Sequence, residues 1–398
     1  MNDLTCVIIG GGYAGLQALK AIKEKTRGIA NGRRIRFVLI DKQPGHLRKL
    51  RMFRPTAVEE EIMIPWNHLV LKDFEFLQGT VASVDSGEQR IRYTDVNGID
   101  ARIRYDLLVV AVGSVVRLPD PDQGGIALTD PQAAADIREH WRANLRKATD
   151  ETNPEERKRL MTIAVAGAGI SGIETSAELA LAMRKEATTL GLNPSDASVY
   201  LLNAKERLLP DVSEKFRRKL DQQLIECGVT VLHNSKALRE EAGAVTLRGG
   251  DCLAVGLCIW TLGLIPNPGL RGMGLPLTPD GKVLVDECYR VQGMLNVYCI
   301  GDCAGIVDPR DGRATQMTCF EAGEQGLRLG KIVMADLEGR PAPSHHSAKS
   351  NMDAFTIALG QKGVFWIRTW GLDMVMTGKI PGRIKKLVED TASMLRSK

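Results

Sequence analysis

Two glycine clusters have the spacing that cradles phosphate. The first is Gly10, Gly12 and Gly15, in Thr5-Cys-Val-Ile-Ile-Gly-Gly-Gly-Tyr-Ala-Gly15. The second is Gly167, Gly169 and Gly172, in Thr162-Ile-Ala-Val-Ala-Gly-Ala-Gly-Ile-Ser-Gly172. Each follows a short apolar run and precedes a stretch with helical spacing, so each reads as strand, tight turn, helix. In such a unit the first glycine permits the turn. The second lets backbone approach a pyrophosphate, and the third lets helix pack on strand, while the helix start supplies N–H groups and partial positive charge. Tyr13 and Ala14 complete the first turn, Ile170 and Ser171 the second. Asp41, with Lys42 after it, closes the strand Arg36–Ile40, where a carboxylate can accept both ribose hydroxyls of an adenosine. Two such units imply two dinucleotides on one chain, and so electron transfer between them.

The second unit departs from the first at one position. Where Asp41 stands in the first, the second has Asn203, followed by Lys205 and Arg207. An acid there favours NADH and repels a 2′-phosphate; the amide removes that repulsion and a nearby cation can pair with phosphate. NADPH is therefore admitted alongside NADH. A unit that no longer binds a ligand is the other reading of the same departure.

The elements that would hold these residues follow from pattern. A β–α–β unit runs from Leu4 to Ile40 with its helix over Leu16–Lys25, and a second runs from Met161 to Leu202 with its helix over Ile173–Glu186. Between them, residues 74–110 read as a meander: Phe74–Gln78, Val81–Val84, Gln89–Thr94 and Ala101–Tyr105 leading into Leu107–Val112, with Asn97-Gly98 as a hairpin turn. A helix is expected around Pro131–Lys147. Further strands are expected at Thr230–Leu232, at Ala254–Trp260 and at Leu295–Ile300. After residue 345 the pattern changes. Phe355–Leu359 and Val364–Ile367 read as strands and Ile384–Leu395 as an amphipathic helix, with Ile384, Leu387, Val388, Thr391 and Leu395 on one face.

Composition narrows the classes. The chain has 398 residues, 44% hydrophobic and 25% charged, as in a globular protein of two or three domains. A net charge of +5 is mild and gives no case for nucleic acid. Met1-Asn-Asp-Leu leads directly into a strand without a leader pattern, and no run reaches the ~20 apolar residues that span a bilayer. A cytoplasmic protein is expected, with peripheral attachment to the cytoplasmic face of a membrane open. Eight cysteines include no C-x-x-C pair, and Val7–Glu226 contains none, which argues against a disulfide reductase. The six histidines lack metal-ligand spacing, so no metal site is expected; His345-His346 reads as solvated. Phe365, Trp366 and Trp370, followed by Lys379, Arg383, Lys385 and Lys386, suit an anionic membrane surface, while a docked helix or a homodimer interface fits the same pattern.

Further motifs carry a resemblance. Tyr105-Asp-Leu-Leu-Val-Val-Ala-Val-Gly113 contains an alanine–x–glycine strand end (Ala111, Gly113), and Ile300-Gly-Asp-Cys-Ala304 a glycine–aspartate motif (Gly301, Asp302). Gly79-Thr-Val81, Gly172-Ile-Glu174-Thr-Ser-Ala-Glu178 and Ile259-Trp-Thr-Leu-Gly263 add to these. With the two fingerprints, they make residues 1–330 resemble the pyridine nucleotide–disulfide reductase flavoproteins, and most of all type II NADH:quinone dehydrogenases; apoptosis-inducing-factor-like FAD reductases are also similar.

The resemblance implies an α/β fold of two Rossmann-like dinucleotide-binding domains. An FAD domain would comprise residues 1–118 and 290–345, an NAD(P)H domain residues 119–289, and a small C-terminal α+β region residues 346–398. It implies that FAD is held by the first fingerprint, Asp41, Lys42, Val81, Ala111, Gly113, Gly301 and Asp302, and that NADH or NADPH is held by the second, Asn203 and Gly263. Glu174 would lie near the nicotinamide–flavin contact; a helix-start acid stabilised by the dipole is the plainer role. Cys319 would lie by the flavin, as a helix-start thiolate or a packing residue. The branch usually has an alanine–glutamine–x–alanine–x–glutamine helix at its quinone site, where this chain has Thr318-Cys-Phe-Glu-Ala-Gly-Glu324. The implied activity is a FAD-dependent NAD(P)H dehydrogenase with a quinone-like acceptor. A reductase acting on a redox protein or biosynthetic intermediate, and a redox-sensing flavoprotein, are the alternatives.

Overall fold

The computed structural model describes residues 3–346, 352–369 and 372–395. Its first sheet has five parallel strands in the order Val297–Cys299, Leu107–Val110, Leu4–Ile9, Arg33–Asp41, Glu75–Asp85. Arg90–Asp95 and Asp100–Arg104 extend it as an antiparallel hairpin edge. The central strands are almost wholly buried, which explains why they read as continuous Val, Ile and Leu rather than as an alternation. Strand order reverses beside Leu4–Ile9, so the crevice for a ligand opens at its carboxyl end.

Two helices cover this crevice. Tyr13–Thr26 crosses Cys319–Leu337 through a seam of small residues. A Cβ on Gly326 would lie 2.8 Å from Gln17 Cβ, and one on Gly330 would lie 2.7 Å from backbone atoms of Ala21.

The second sheet repeats the first on a smaller scale. Its five parallel strands run Ile126–Ala127, Leu257–Trp260, Thr162–Ala166, Ser198–Leu202, Val229–Leu232. The two sheets are joined where Ser114–Val116 pairs antiparallel with Leu264–Pro266, so the chain leaves the first sheet and exits the second side by side.

The C-terminal unit is a three-stranded meander, Met352–Leu359, Lys362–Thr369 and Leu372–Gly378, then the helix Lys379–Ala392. Ile357, Leu359, Val364 and Trp366 join the core beneath the second sheet. Phe355 packs edge-on against Phe216 at 5.0 Å and Trp366 at 5.3 Å.

Most element types follow the sequence reading, with different bounds. Phe74–Gln78 and Val81–Val84 are one strand, Glu75–Asp85, whose bulge between Val81 and Ser83 mimics a break. The run Ala254–Trp260 is two elements, Cys252–Ala254 and Leu257–Trp260. The third C-terminal strand, Leu372–Gly378, is additional; Trp370 lies outside the described residues. His345 corrects the solvated reading: it is buried, with Nδ1 2.8 Å from the Tyr289 hydroxyl, while His346 is exposed.

The small-residue seam gives a direct test. Gly330→Ala should cost about 1–3 kcal/mol by overpacking, although alanine favours helix. Urea denaturation of the two proteins measures it; an unchanged midpoint would mean the helices can separate without loss.

Candidate active site

Gly10 sets the first site. It takes φ +102°, and a Cβ there would sit 2.3 Å from the Ala111 carbonyl oxygen, so only glycine fits. Gly12 precedes the helix without a side-chain cap, and nothing lies within 4 Å of where its Cβ would be. The first-turn N–H groups thus meet open space, which fits a pyrophosphate. Asp41 reaches the same turn: its carboxylate accepts from Gly11 N–H at 2.5 Å and from Gln43 N–H at 2.7 Å.

The other predicted residues fall around this turn. Ala14 is buried under Gly301, whose N–H donates to Gln325 Oε1 at 2.6 Å. Tyr13 is half-buried, its ring edge-on to His46 at 5.0 Å. Lys42 is exposed, and its carbonyl accepts from Gln78 Nε2 at 3.1 Å. Val81 is buried opposite Tyr93, beyond the Asp41–Gln78 pair.

Asp302 accepts from the Ser114 hydroxyl at 2.6 Å, and Lys49 Nζ donates to the Ser114 carbonyl at 2.9 Å. Lys49 is open to solvent yet walled in, and desolvation lowers its pKa, with Asp302 the main opposing charge. Lys49 and Asp302 thus meet at Ser114, directly after the strand end at Gly113.

Sequence reasoning missed Lys49, Ser114, His46 and Trp66. Only Ser114, directly after the glycine strand end, carried a local signal. His46 Nδ1 lies 2.9 Å from the Gly11 carbonyl. A carbonyl only accepts, so Nδ1 carries the proton, and burial pushes the ring down to about 4, leaving it neutral. Its Nε2 and the Trp66 indole N–H are buried beside this turn without a partner among the described residues. Orphaned polar atoms next to an uncapped helix fit a bound polar group.

The second site has the same geometry. Gly167 takes φ +120°, and a Cβ there would lie 2.4 Å from the Thr261 carbonyl oxygen. Gly169 precedes its helix uncapped and faces open space, with Ile170 and Ser171 exposed. Asn203 is buried, and its side chain binds Lys205 N–H at 3.2 Å and His233 Nδ1 at 3.0 Å. Gly113 (φ +66°) and Gly263 (φ +84°) each turn a strand end into the paired connection between sheets.

Glu174, one turn into the second helix, is buried against the C-terminal unit. One carboxylate oxygen accepts from Ala358 N–H and from Lys385 Nζ, both at 2.9 Å. Burial raises the Glu174 pKa, and the Lys385 charge opposes this. For Lys385, burial works downward but the Glu174 charge outweighs it, so the ammonium is held.

More pairs surround this one. Arg51 joins Glu60 and Glu389 at 2.6 Å each, Arg54 joins Glu60 at 3.0 Å and Glu178 at 2.7 Å, and Arg48 pairs with Asp390. Residues 48–60, the second fingerprint helix and the C-terminal helix are thus clasped by charge.

Cys319 opens its helix after the Thr318 cap. Burial pushes its thiol up, so it stays protonated, and the packing role is the one its environment supports. Cys299 and Cys303 lie with sulfurs 3.6 Å apart and fully buried as free thiols; their C-x-x-x-C spacing matched no pattern sought in the sequence. Among the described residues, no three His, Cys, Asp or Glu side chains converge to hold a metal.

The family description "Pyridine nucleotide-disulphide oxidoreductase" matches residues 4–326. The chain belongs to this family. It is an FAD- and NAD(P)H-dependent oxidoreductase with two dinucleotide-binding folds. Among relatives, it is 27% identical to the oxidoreductase ptaL of Pestalotiopsis fici, covering 97% of this chain and 95% of that protein. It is 24% identical to the type II NADH:quinone oxidoreductase of Haemophilus influenzae, covering 85% and 82%. In fold it is similar to NDH2 of Plasmodium falciparum, solved with NADH, at TM-score 0.81 and 17% identity over 99% of this chain and 96% of that one.

The Glu174–Lys385 pair generates the test for this site. Lys385→Met strands a buried carboxylate and should cost about 3–5 kcal/mol at neutral pH. Adding Glu174→Gln should recover a large part of that loss. The sign with pH follows from the raised Glu174 pKa: the penalty exists where the carboxylate is ionised, so it grows above the unfolded carboxyl value and shrinks towards pH 5. Urea titrations of the double-mutant cycle at pH 5 and pH 8 measure both; an additive, pH-independent cycle would show that the pair is uncoupled.

Proposed function

We propose that the protein oxidises NAD(P)H and reduces a quinone-like acceptor at a membrane surface. One observation supports the redox core of this reading: two glycine turns of matching backbone geometry, their strand exits coupled through a single antiparallel pair. FAD, when bound, supplies the two-electron relay between the nicotinamide and the acceptor. The chain's own residues do the rest. The uncapped helix starts at Gly12 and Gly169 hold phosphates, Asp41 takes an adenosine ribose, and Asp302, fixed by Ser114, faces Lys49 across the crevice.

Acceptor reduction consumes protons, and Lys385 Nζ is a buried, charged donor held by Glu174, within electrostatic reach of Cys319. Phe320, 64% exposed where the quinone branch usually has glutamine, offers an aromatic face to a ring-shaped acceptor. The similarity to enzymes named for quinone reduction supports that acceptor class.

The membrane contact rests on the C-terminal helix, which is built inside out. It buries Lys385 and Glu389 and exposes Ile380 (64%), Leu387 (67%) and Val388 (46%), beside exposed Lys379, Arg383 and Lys386. A helix docked by an apolar stripe would show the reverse. Apolar side chains flanked by cations suit an anionic bilayer. Among the described residues, no helix is long and apolar enough to cross a membrane.

Two experiments test the proposal. Anaerobic NADH or NADPH should bleach the visible flavin absorbance of the purified protein, and a short-chain quinone should restore it. Bleaching by neither would remove the dehydrogenase reading, and no reoxidation by quinone would remove the acceptor. Separately, Ile380→Glu with Leu387→Glu should abolish co-sedimentation with phosphatidylglycerol vesicles while keeping FAD, because both side chains are exposed and bear none of the clasp. Retained sedimentation would mean the helix faces another partner, such as a second copy of the chain.

A further inference from the structure

The second fingerprint opens into a cavity of about 320 Å³. Leu209, Trp260 and Leu262 give it apolar walls that suit an adenine. Its polar side chains are Asn203, Ser235 and three cations. Lys205 and Arg207 come from the loop after Ser198–Leu202, and Ser235 and Lys236 from the loop after Val229–Leu232; no Asp or Glu lines it.

The two loops are tied by backbone. Asn234 N–H donates to the Lys205 carbonyl at 3.0 Å and Ser235 N–H to the Asn203 carbonyl at 2.9 Å. Lys236, thirty-one positions from Lys205 and unremarkable in sequence, is thereby brought to the same mouth. Among the described residues neither Lys205 nor Lys236 has a carboxylate partner, and Arg207 meets only the exposed Glu206 at 3.5 Å. Such an exposed, solvent-screened pair is readily broken. Asn203 is turned inward onto His233 and Lys205 N–H, so it brings neither charge nor a ribose-binding carboxylate to the cavity.

From this arrangement we infer that the donor is NADPH, its 2′-phosphate held between Lys205, Lys236 and Arg207. The inference rests on the nicotinamide-site reading above and fixes which nicotinamide that site takes. A dianionic 2′-phosphate gains charge-assisted bonds from three cations without displacing any acid. The two free ribose hydroxyls of NADH find no carboxylate acceptor here.

The probes are 2′,5′-ADP and 5′-AMP, which differ only in the 2′-phosphate, titrated calorimetrically into the FAD-loaded protein. We expect 2′,5′-ADP to bind at least about 30-fold more tightly at low salt, the gap narrowing as salt rises. Lys205→Ala with Lys236→Ala should lose that discrimination and lower the NADPH-to-NADH ratio of kcat/KM by a similar factor. Asn203→Glu should shift the ratio towards NADH. Equal affinity for the two probes, or discrimination that survives the double substitution, overturns the inference. If flavin is still bleached by NADH in that case, the nicotinamide site stands and only the donor assignment falls. If neither probe binds and neither nucleotide bleaches flavin, both fall together.

Discussion

One steric contact, made twice, organises the protein. A Cβ on Gly15 would lie 1.9 Å from the Gly10 carbonyl oxygen, and a Cβ on Gly172 would lie 1.9 Å from that of Gly167. No side chain survives at that distance, so each helix sits directly over the end of its strand. The first-turn N–H groups are thereby held at the strand's carboxyl edge. Backbone bonds repeat around the contact: Gly10 N–H to Ile40 and Gly167 N–H to Leu202, Ala111 N–H to Ile9 and Thr261 N–H to Ala166. The crevices are where they are because hydrogen is the only substituent these turns admit.

A second constraint acts at the C-terminus. Its meander is held by apolar packing on the second sheet, but its helix faces the rest of the molecule with charge. Buried ion pairs are weak contributors to net stability, yet losing one partner is costly. Their value here is geometric. Glu174 belongs to the second fingerprint helix, Arg51 and Arg54 to the segment beside the first site, and Lys385 and Glu389 to the terminal helix. Directional pairs fix these three against each other where an apolar contact could slide. They also free the apolar stripe of the helix to face outward, which an ordinary docked helix cannot do.

The sequence showed what is local and hid what is folded together. The fingerprints, Asp41 and the alanine–x–glycine end were legible as turns and strand ends because their backbone places are set by neighbours a few residues away. Lys49 was not: its place near Asp302 depends on Ser114, 65 positions further on, which binds both. Lys385 read as one of several surface cations, since nothing nearby shows that Glu174, more than two hundred residues earlier, would bury it. The terminal helix was legible as amphipathic, but it runs Lys379–Ala392, so Leu395 lies beyond it, and which side is buried was left open. Periodicity reports two unlike faces, and only the partners of the polar face decide which turns inward. The expected solvation of His345 failed similarly, because Tyr289 closes over it from another part of the chain.

The two nucleotide sites share a backbone and differ in charge, and this difference can sort their ligands. At the end of the second strand the first fold has a carboxylate bound to the Gly11 N–H, and the second has an inward-turned amide beneath three cations. Specificity is a difference of affinities and is sharpened by repulsion as well as attraction. In the proposed assignment, Asp41 would repel a 2′-phosphate and accept from a free ribose such as that of FAD. In the same assignment, the Lys205–Arg207–Lys236 mouth would attract a 2′-phosphate and offer a free ribose no carboxylate acceptor. With an acid at both strand ends, both sites would favour an unphosphorylated ribose, and charge would not tell FAD from NADH. A carboxylate at the first strand end, against a neutral amide flanked by three cations at the second, would separate the two with the fold that presents them unchanged.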